Sequence, residues 1–274
     1  MSAAVMQQLA ETTGFIKSKY ANAPTAGIIL GSGLGNLVSE IAVEQEIPYR
    51  EIPHFPISTV QGHGGKLIFG ELNGKKVVVM QGRFHFYEGY TPKQIAYPVR
   101  VMKMLGVHTL LVSNAAGGTN TSFKVGDLMI IRDHISLFVP NPLVGPNDEE
   151  IGTRFPDMSE PYDKGLIAKA KEVGVKYGFD LKEGVYTGLT GPSFETRAEY
   201  KLIKILGGDA VGMSTIQEII TAVHAGLKVF GVSVITNMGI REEENTMTHE
   251  EVLALAKEAE PKLGLLFKEM VGLL

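Results

Sequence analysis

The chain has 274 residues, 44% of them hydrophobic and 20% charged, with a net charge of -4. That is room for one large domain with a sizeable core, and it carries no polycationic footprint for nucleic acid or an acidic membrane surface. There are no cysteines, so disulfides, thiolate catalysis and cysteine-ligated zinc are excluded.

Met1 to Tyr20 has apolar residues at helical spacing. It lacks the basic start, long apolar stretch and small-residue cleavage site of a secretory signal. No apolar run is long enough to span a bilayer, so a soluble, cytoplasmic protein is expected. Ala26 to Leu30 reads as a buried strand. Leu67 to Glu71 and Val77 to Gln81 flank Asn73-Gly74, a strong hairpin signal. Thr91-Pro92 opens a helix carrying Ile95, Val99, Met102 and Leu105 at helical spacing, and Pro98 predicts a kink in it. Thr109 to Val112, Leu128 to Ile131 and Val185 to Gly188 read as strands. Pro140 to Gly152 reads as an irregular loop. Glu199 to Leu206 and Ile216 to Ala225 read as helices, and Val229 to Ile235 as the last strong strand. Thr248 to Glu251 is a capping box that starts a C-terminal helix, with Pro261 predicting a second kink. Strands alternating with helices predict an α/β fold with a helix-covered sheet, made mixed by the hairpin.

The polar and glycine-rich clusters each follow a predicted strand, where α/β sheets bind ligands. Gly31-Ser-Gly-Leu-Gly35, with a helix predicted to begin near Asn36, reads as a phosphate cradle or as a purely structural turn. Arg83 and His85 offer a guanidinium fork and a second donor suited to phosphate; the alternative is a surface arginine beside a packed histidine. His63 sits in a glycine-rich loop and is read by default as exposed. Ser113 to Gly118 brings a backbone close either to a ligand or to a neighbouring helix. Phe194 and Glu195 suit a flat heterocycle, one by stacking and one by accepting from a ring N–H; alternatively Glu195 caps a helix starting near Thr196. Asn237 carries a partly buried amide, for a ligand or for a backbone turn. No histidine or carboxylate spacing fits a metal, so none is expected.

Together these clusters resemble the trimeric class of purine nucleoside phosphorylases, from Gly31 to Val252. The most specific pieces are Gln81-Gly-Arg-Phe-His-Phe-Tyr-Glu-Gly89, Ser113-Asn-Ala-Ala-Gly-Gly118, Gly191-Pro-Ser-Phe-Glu-Thr196, Ala210-Val-Gly-Met-Ser-Thr215 and Ile235-Thr-Asn237. The resemblance implies one α/β domain over residues 1–274 with a mixed, partly barrel-like sheet flanked by helices. It implies phosphorolysis of purine (deoxy)ribonucleosides, preferring inosine and guanosine, in purine salvage. Inorganic phosphate is then a co-substrate, and no cofactor is needed.

The same resemblance implies residue roles. Ser32, Arg83, His85, Ser214 and the backbone N–H of Ala115 form the phosphate pocket, and His63 closes over it. Tyr87 and Met213 contact ribose, and His249 meets its 5′-hydroxyl. Phe194, Glu195 and Asn237 hold the purine, and His85, Glu195 and Asn237 carry the catalysis. Phe155 is lent to a neighbouring subunit's ribose site, which makes a homotrimer the working form. Ile240 to Thr248 is acidic and shorter than in vertebrate relatives. A methylthioadenosine phosphorylase and a non-catalytic nucleoside-binding protein on the same scaffold are the alternatives. Asn237 and His249 argue against the first, and the phosphate cluster against the second.

Overall fold

The computed structural model describes residues 3–32, 35–59, 64–240 and 248–274. Strand β1 (Ala26–Leu30) is buried at all five positions, as an apolar run covered on both faces must be. The other strands in chain order are β2 (Ala42–Pro48), β3 (Lys66–Leu72), β4 (Lys75–Gln81), β5 (Thr109–Gly118), β6 (Leu128–Ile135), β7 (Leu181–Gly188), β8 (Ala210–Gly212) and β9 (Lys228–Met238). They form one mixed sheet in the order β2-β3-β4-β1-β5-β8-β7-β6-β9. A further parallel pairing of β5 with β9 closes the last five strands of that order into a barrel.

The predicted hairpin is β3–β4, with Leu72 opposite Lys75. Asn73 and Gly74 turn the chain at φ of 47° and 79°, the left-handed pair that a two-residue hairpin loop needs. Strand β2 was not expected. It lies at the sheet's edge and exposes Ala42, Val43 and Glu44, so it lacks the apolar signature of an inner strand.

Among the described residues six α-helices cover the sheet: α1 (Ala3–Lys19), α2 (Pro92–Met104), α3 (Lys164–Tyr177), α4 (Arg197–Ile205), α5 (Ile216–His224) and α6 (His249–Gly272). Capping boxes start α2 at Thr91, α4 at Thr196 and α6 at Thr248. Helices α2 and α6 run on through Pro98 and Pro261. Helix α1 packs on α2, α2 on α5 and α3 on α6. Between helices and sheet, Ile28, Val79, Leu111 and Val232 are fully buried. Each such side chain contributes about 1.5–3 kcal/mol by leaving water.

Three expectations are corrected. The helix predicted near Asn36 is a short 3-10 helix, Gly35–Glu40. Ser113 to Gly118 does not follow a strand but completes β5, where these residues pair with β9 and the last two, Gly117 and Gly118, also with β8. Likewise Thr236 and Asn237 belong to β9. Among the described residues no helix is long and apolar enough to cross a membrane.

Candidate active site

The ends of β4, β5, β8 and β9 and the start of α6 surround a cleft of about 650 Å³. Ser32, Arg83, His85, Tyr87, Ala115, Phe194, Glu195, Met213, Ser214, Asn237 and His249 all line it. Two expected residues remain. His63 lies outside the described residues. Phe155 is 85% exposed and is not among the residues that line its own chain's cleft.

Arg83 sits just after β4, where Gly82 at φ 102° lets the chain reverse. Its guanidinium is only 1% exposed, which excludes the surface arginine. Glu218 on α5 receives Nε and Nη2 at 3.1 and 2.9 Å. The remaining terminal nitrogen, Nη1, reaches the Ser113 carbonyl at 2.7 Å, Ser214 Oγ at 3.2 Å and Thr215 Oγ1 at 3.3 Å. Sequence reasoning missed Glu218. Its signal was a lone carboxylate within the apolar run Ile216 to Val223.

His85 is buried and stacks on Tyr87 with ring centroids 4.7 Å apart. Burial pulls its imidazole pKa below the usual value, against the pull of Glu88. Glu88 Oε1 lies 3.0 Å from His85 Nδ1 and accepts from the His85 amide at 2.8 Å. Burial opposes ionisation of Glu88, but hydrogen bonds from His85 and from the hydroxyl and amide of Thr59 outweigh it and bring its pKa to about 2. With Glu88 ionised, the neutral imidazole donates at Nδ1 and presents Nε2 as an acceptor. The expected donor is therefore an acceptor until it is protonated, which suits the P–OH of a hydrogen phosphate.

At the other end of the cleft Thr196, not Glu195, caps α4, accepting from Glu199 N at 3.2 Å. Glu195 is left to face the cleft half-buried. Burial raises its carboxyl pKa, and a hydrogen bond from Tyr200 works the other way. Phe194 is 45% exposed beside it, an apolar face open to a ring. Asn237 is buried; its Nδ2 donates to Tyr200 Oη at 3.2 Å, and its Oδ1 accepts from Thr236 Oγ1 at 3.3 Å. The register of β9 against β5 slips between Ala116 and Gly117, where Ile235 and then Asn237 are the partners. A one-residue bulge reverses which face a side chain takes. Tyr200, missed in the sequence, links the two polar groups of this end.

Three smaller features complete the lining. Ala115 sits in β5, half-buried at the cleft wall. At Gly31 an added Cβ would lie 2.9 Å from Asn114 Cα, so this glycine serves the close approach of β1 to β5. His249 heads α6, and its buried Nε2 has no hydrogen-bond partner among the described residues.

The cleft thus joins an anion-sized cluster of hydroxyls and nitrogens to an acceptor-lined apolar slot, which suits a two-part substrate. A family model described as the phosphorylase superfamily matches residues 25–272. Purine nucleoside phosphorylase 1 of Geobacillus stearothermophilus is 53% identical over 253 residues, 92% of this chain and 91% of the relative. Purine nucleoside phosphorylase of Bos taurus is 51% identical over 260 residues, 92% and 90% of the two chains. Crystal structures of the Schistosoma mansoni purine nucleoside phosphorylase are similar throughout. The complex with inosine has a TM-score of 0.93 at 44% identity, covering 98% of this chain and 97% of that one. The complex with adenosine has a TM-score of 0.93 at 45% identity, covering 97% of each.

Proposed function

The chain belongs to the phosphorylase superfamily and, within it, to the purine nucleoside phosphorylases, and on that premise we propose that it cleaves 6-oxopurine nucleosides, inosine and guanosine ahead of adenosine. The observation that carries this reading is the half-buried Glu195 carboxylate at one end of a cleft whose other end holds Arg83, His85 and Ser214.

Phosphate attacks C1′ of the sugar as the C1′–N9 bond breaks, with inversion. The new C1′–O–P bond gives ribose 1-phosphate, and the bonding pair leaves with the purine, whose gain of one proton balances the one that hydrogen phosphate gives up. Positive charge grows on the ribosyl group and negative charge on the base. Arg83, Ser32, Ser214 and the Ala115 amide hold the phosphate below the sugar; His85 Nε2 accepts from its P–OH. The phosphate is itself the nucleophile, so no covalent enzyme intermediate and no cofactor is needed. Glu195 accepts from N1–H, and Asn237 bonds N7 or O6; Phe194 packs on the ring. Such contacts speed the reaction as far as they strengthen in the transition state.

Adenine presents a bare N1 acceptor to Glu195, so two acceptors face each other there. The Schistosoma mansoni enzyme takes adenosine in a crystal; the discrimination proposed here is one of kcat/KM. Tyr87 and Met213 flank the ribose. His249 Nε2, which has no partner among the described residues, suits a 5′-hydroxyl, and this favours an ordinary nucleoside over methylthioadenosine. Phe155 completes the ribose site of a neighbouring subunit, so the working form is a homotrimer. Its exposure, like that of Leu137 and Val144, supports that assembly. The reaction serves purine salvage in the cytoplasm.

Steady-state kinetics with inosine, guanosine and adenosine at saturating phosphate test the preference. Inosine and guanosine should exceed adenosine by at least about tenfold in kcat/KM. Equal or faster adenosine cleavage would contradict it.

A further inference from the structure

Thr215 carries a backbone conformation that its side chain disfavours. Its φ is 76° and its ψ -47°. Left-handed conformations are costly for a β-branched residue, and they persist where the surroundings over-determine them. Here the Ile216 amide donates to the Ser214 carbonyl at 2.8 Å, closing a three-residue turn with Thr215 at its centre. A glycine would take this turn without strain. What the threonine adds is a hydroxyl, only 1% exposed with its residue.

That hydroxyl is the hub of the polar cluster. Thr215 Oγ1 accepts from Arg83 Nη1 at 3.3 Å and from Asn114 Nδ2 at 3.0 Å. It lies 3.1 Å from Ser214 Oγ. A hydroxyl has one proton and two lone pairs. Both lone pairs of Thr215 Oγ1 are taken, so its proton goes to Ser214 Oγ. Ser214 Oγ also shares with Thr215 Oγ1 the one Arg83 Nη1 hydrogen that the Ser113 carbonyl does not take, at 3.2 Å, so both donors near Ser214 Oγ point at its lone pairs. The Ser214 proton is then directed away from these partners, into the cleft that Ser214 lines. The Ser214 peptide is clamped as well: the buried Tyr186 phenol accepts from its N–H at 3.3 Å and donates to its carbonyl at 3.2 Å.

We propose that Thr215 is a positioning residue for the phosphate end of the cleft: held by its strained turn, its hydroxyl fixes Ser214 as a donor to phosphate and steadies the Arg83 guanidinium beside it. This rests on the phosphorolysis reading above. A preorganised donor needs no reorientation when the anion arrives, which is the source of its advantage over a freely rotating hydroxyl.

Three variants separate hydroxyl from shape. Thr215→Val keeps the branched shape and loses the hydroxyl; Thr215→Ser keeps the hydroxyl; Thr215→Gly relaxes the turn and loses the hydroxyl. The KM for phosphate should rise roughly tenfold in Thr215→Val, the scale of one lost hydrogen bond, with the KM for inosine within about twofold. Thr215→Ser should stay near the wild type. Thr215→Gly should show the same raised phosphate KM although its thermal unfolding midpoint is not lowered, and it carries the test if Thr215→Val does not fold. An unchanged phosphate KM in both hydroxyl-free variants, an equal rise in both KM values, or a Thr215→Ser variant as impaired as Thr215→Val would overturn the proposal. Those outcomes require a wild type that cleaves inosine in phosphate. A wild type that does not would remove the functional reading and this inference together.

Discussion

Glu218 meets Arg83 through two parallel hydrogen bonds, Nε to Oε1 at 3.1 Å and Nη2 to Oε2 at 2.9 Å, with the side chains 2% and 1% exposed. The buried cation at the phosphate end is therefore matched by a buried anion from α5, on the far side from the cleft lining. Removing one partner of such a pair strands a charge out of water. The Glu218→Ala variant should lose about 3–5 kcal/mol of unfolding free energy. Replacing both residues by apolar ones, Arg83→Met with Glu218→Leu, should restore most of that stability and none of the phosphate-dependent cleavage. Urea unfolding and inosine turnover on the two proteins check this. A double variant no more stable than Glu218→Ala would contradict it.

Glu195 works as an acceptor only when ionised, and burial raises its pKa above the usual carboxyl value, with Glu199 adding to the rise and Tyr200 opposing it. As pH falls through that raised value the carboxyl takes a proton and N1–H loses its acceptor. A plot of kcat/KM for inosine at saturating phosphate should show an acid limb centred above the usual carboxylate range. In Glu195→Gln the level should drop by about a hundredfold or more and that limb should vanish. An unaltered limb in Glu195→Gln would assign the titration to another group.

Tyr200 Oη lies 3.2 Å from Asn237 Nδ2 and hydrogen-bonds Glu195, so one phenol orients both polar groups of the purine end. Tyr200→Phe should lower kcat/KM for inosine roughly tenfold, the scale of one hydrogen bond, and leave the KM for phosphate unchanged. Asn237→Asp should move the ratio of inosine to adenosine cleavage toward adenosine, because a carboxyl oxygen suits a 6-amino donor. A ratio equal to that of the wild type would sink that assignment.

Phe155 is 85% exposed and touches nothing in its own cleft. In an isolated chain its truncation would be silent in catalysis. In a trimer that lends it across the interface, Phe155→Ala should raise the KM for inosine about fivefold or more, since a buried aromatic ring contributes a kcal/mol or more, with the unfolding midpoint unmoved. Sedimentation equilibrium on the wild type supplies the mass; a monomer would contradict the assembly.

Much of this was legible because it rests on local chemistry. Asn73-Gly74 announced a two-residue hairpin, and Thr91 and Thr248 announced helix starts, since each needs only its near neighbours. Arg83, His85 and Glu195 could be singled out as residue types, with packed or capping roles left open. Burial of Arg83 excluded the surface arginine, and the cap at Thr196 freed Glu195 from that role. What stayed hidden is what depends on distant partners. Glu218 is 135 residues from Arg83, and Tyr200 is 37 from Asn237. The bulge that sets the facing of Asn237 is a relation between two strands, and β2 is an edge strand without an apolar pattern. The strain at Thr215 has no signature in its side chain at all.

The central claim is that phosphate, held at the Arg83 end, is the nucleophile. Purified protein incubated with inosine, with and without phosphate, and analysed by chromatography tests it most directly. Hypoxanthine and ribose 1-phosphate should form together, and only when phosphate is present. Release of free ribose in phosphate-free buffer would make water the nucleophile and contradict the account.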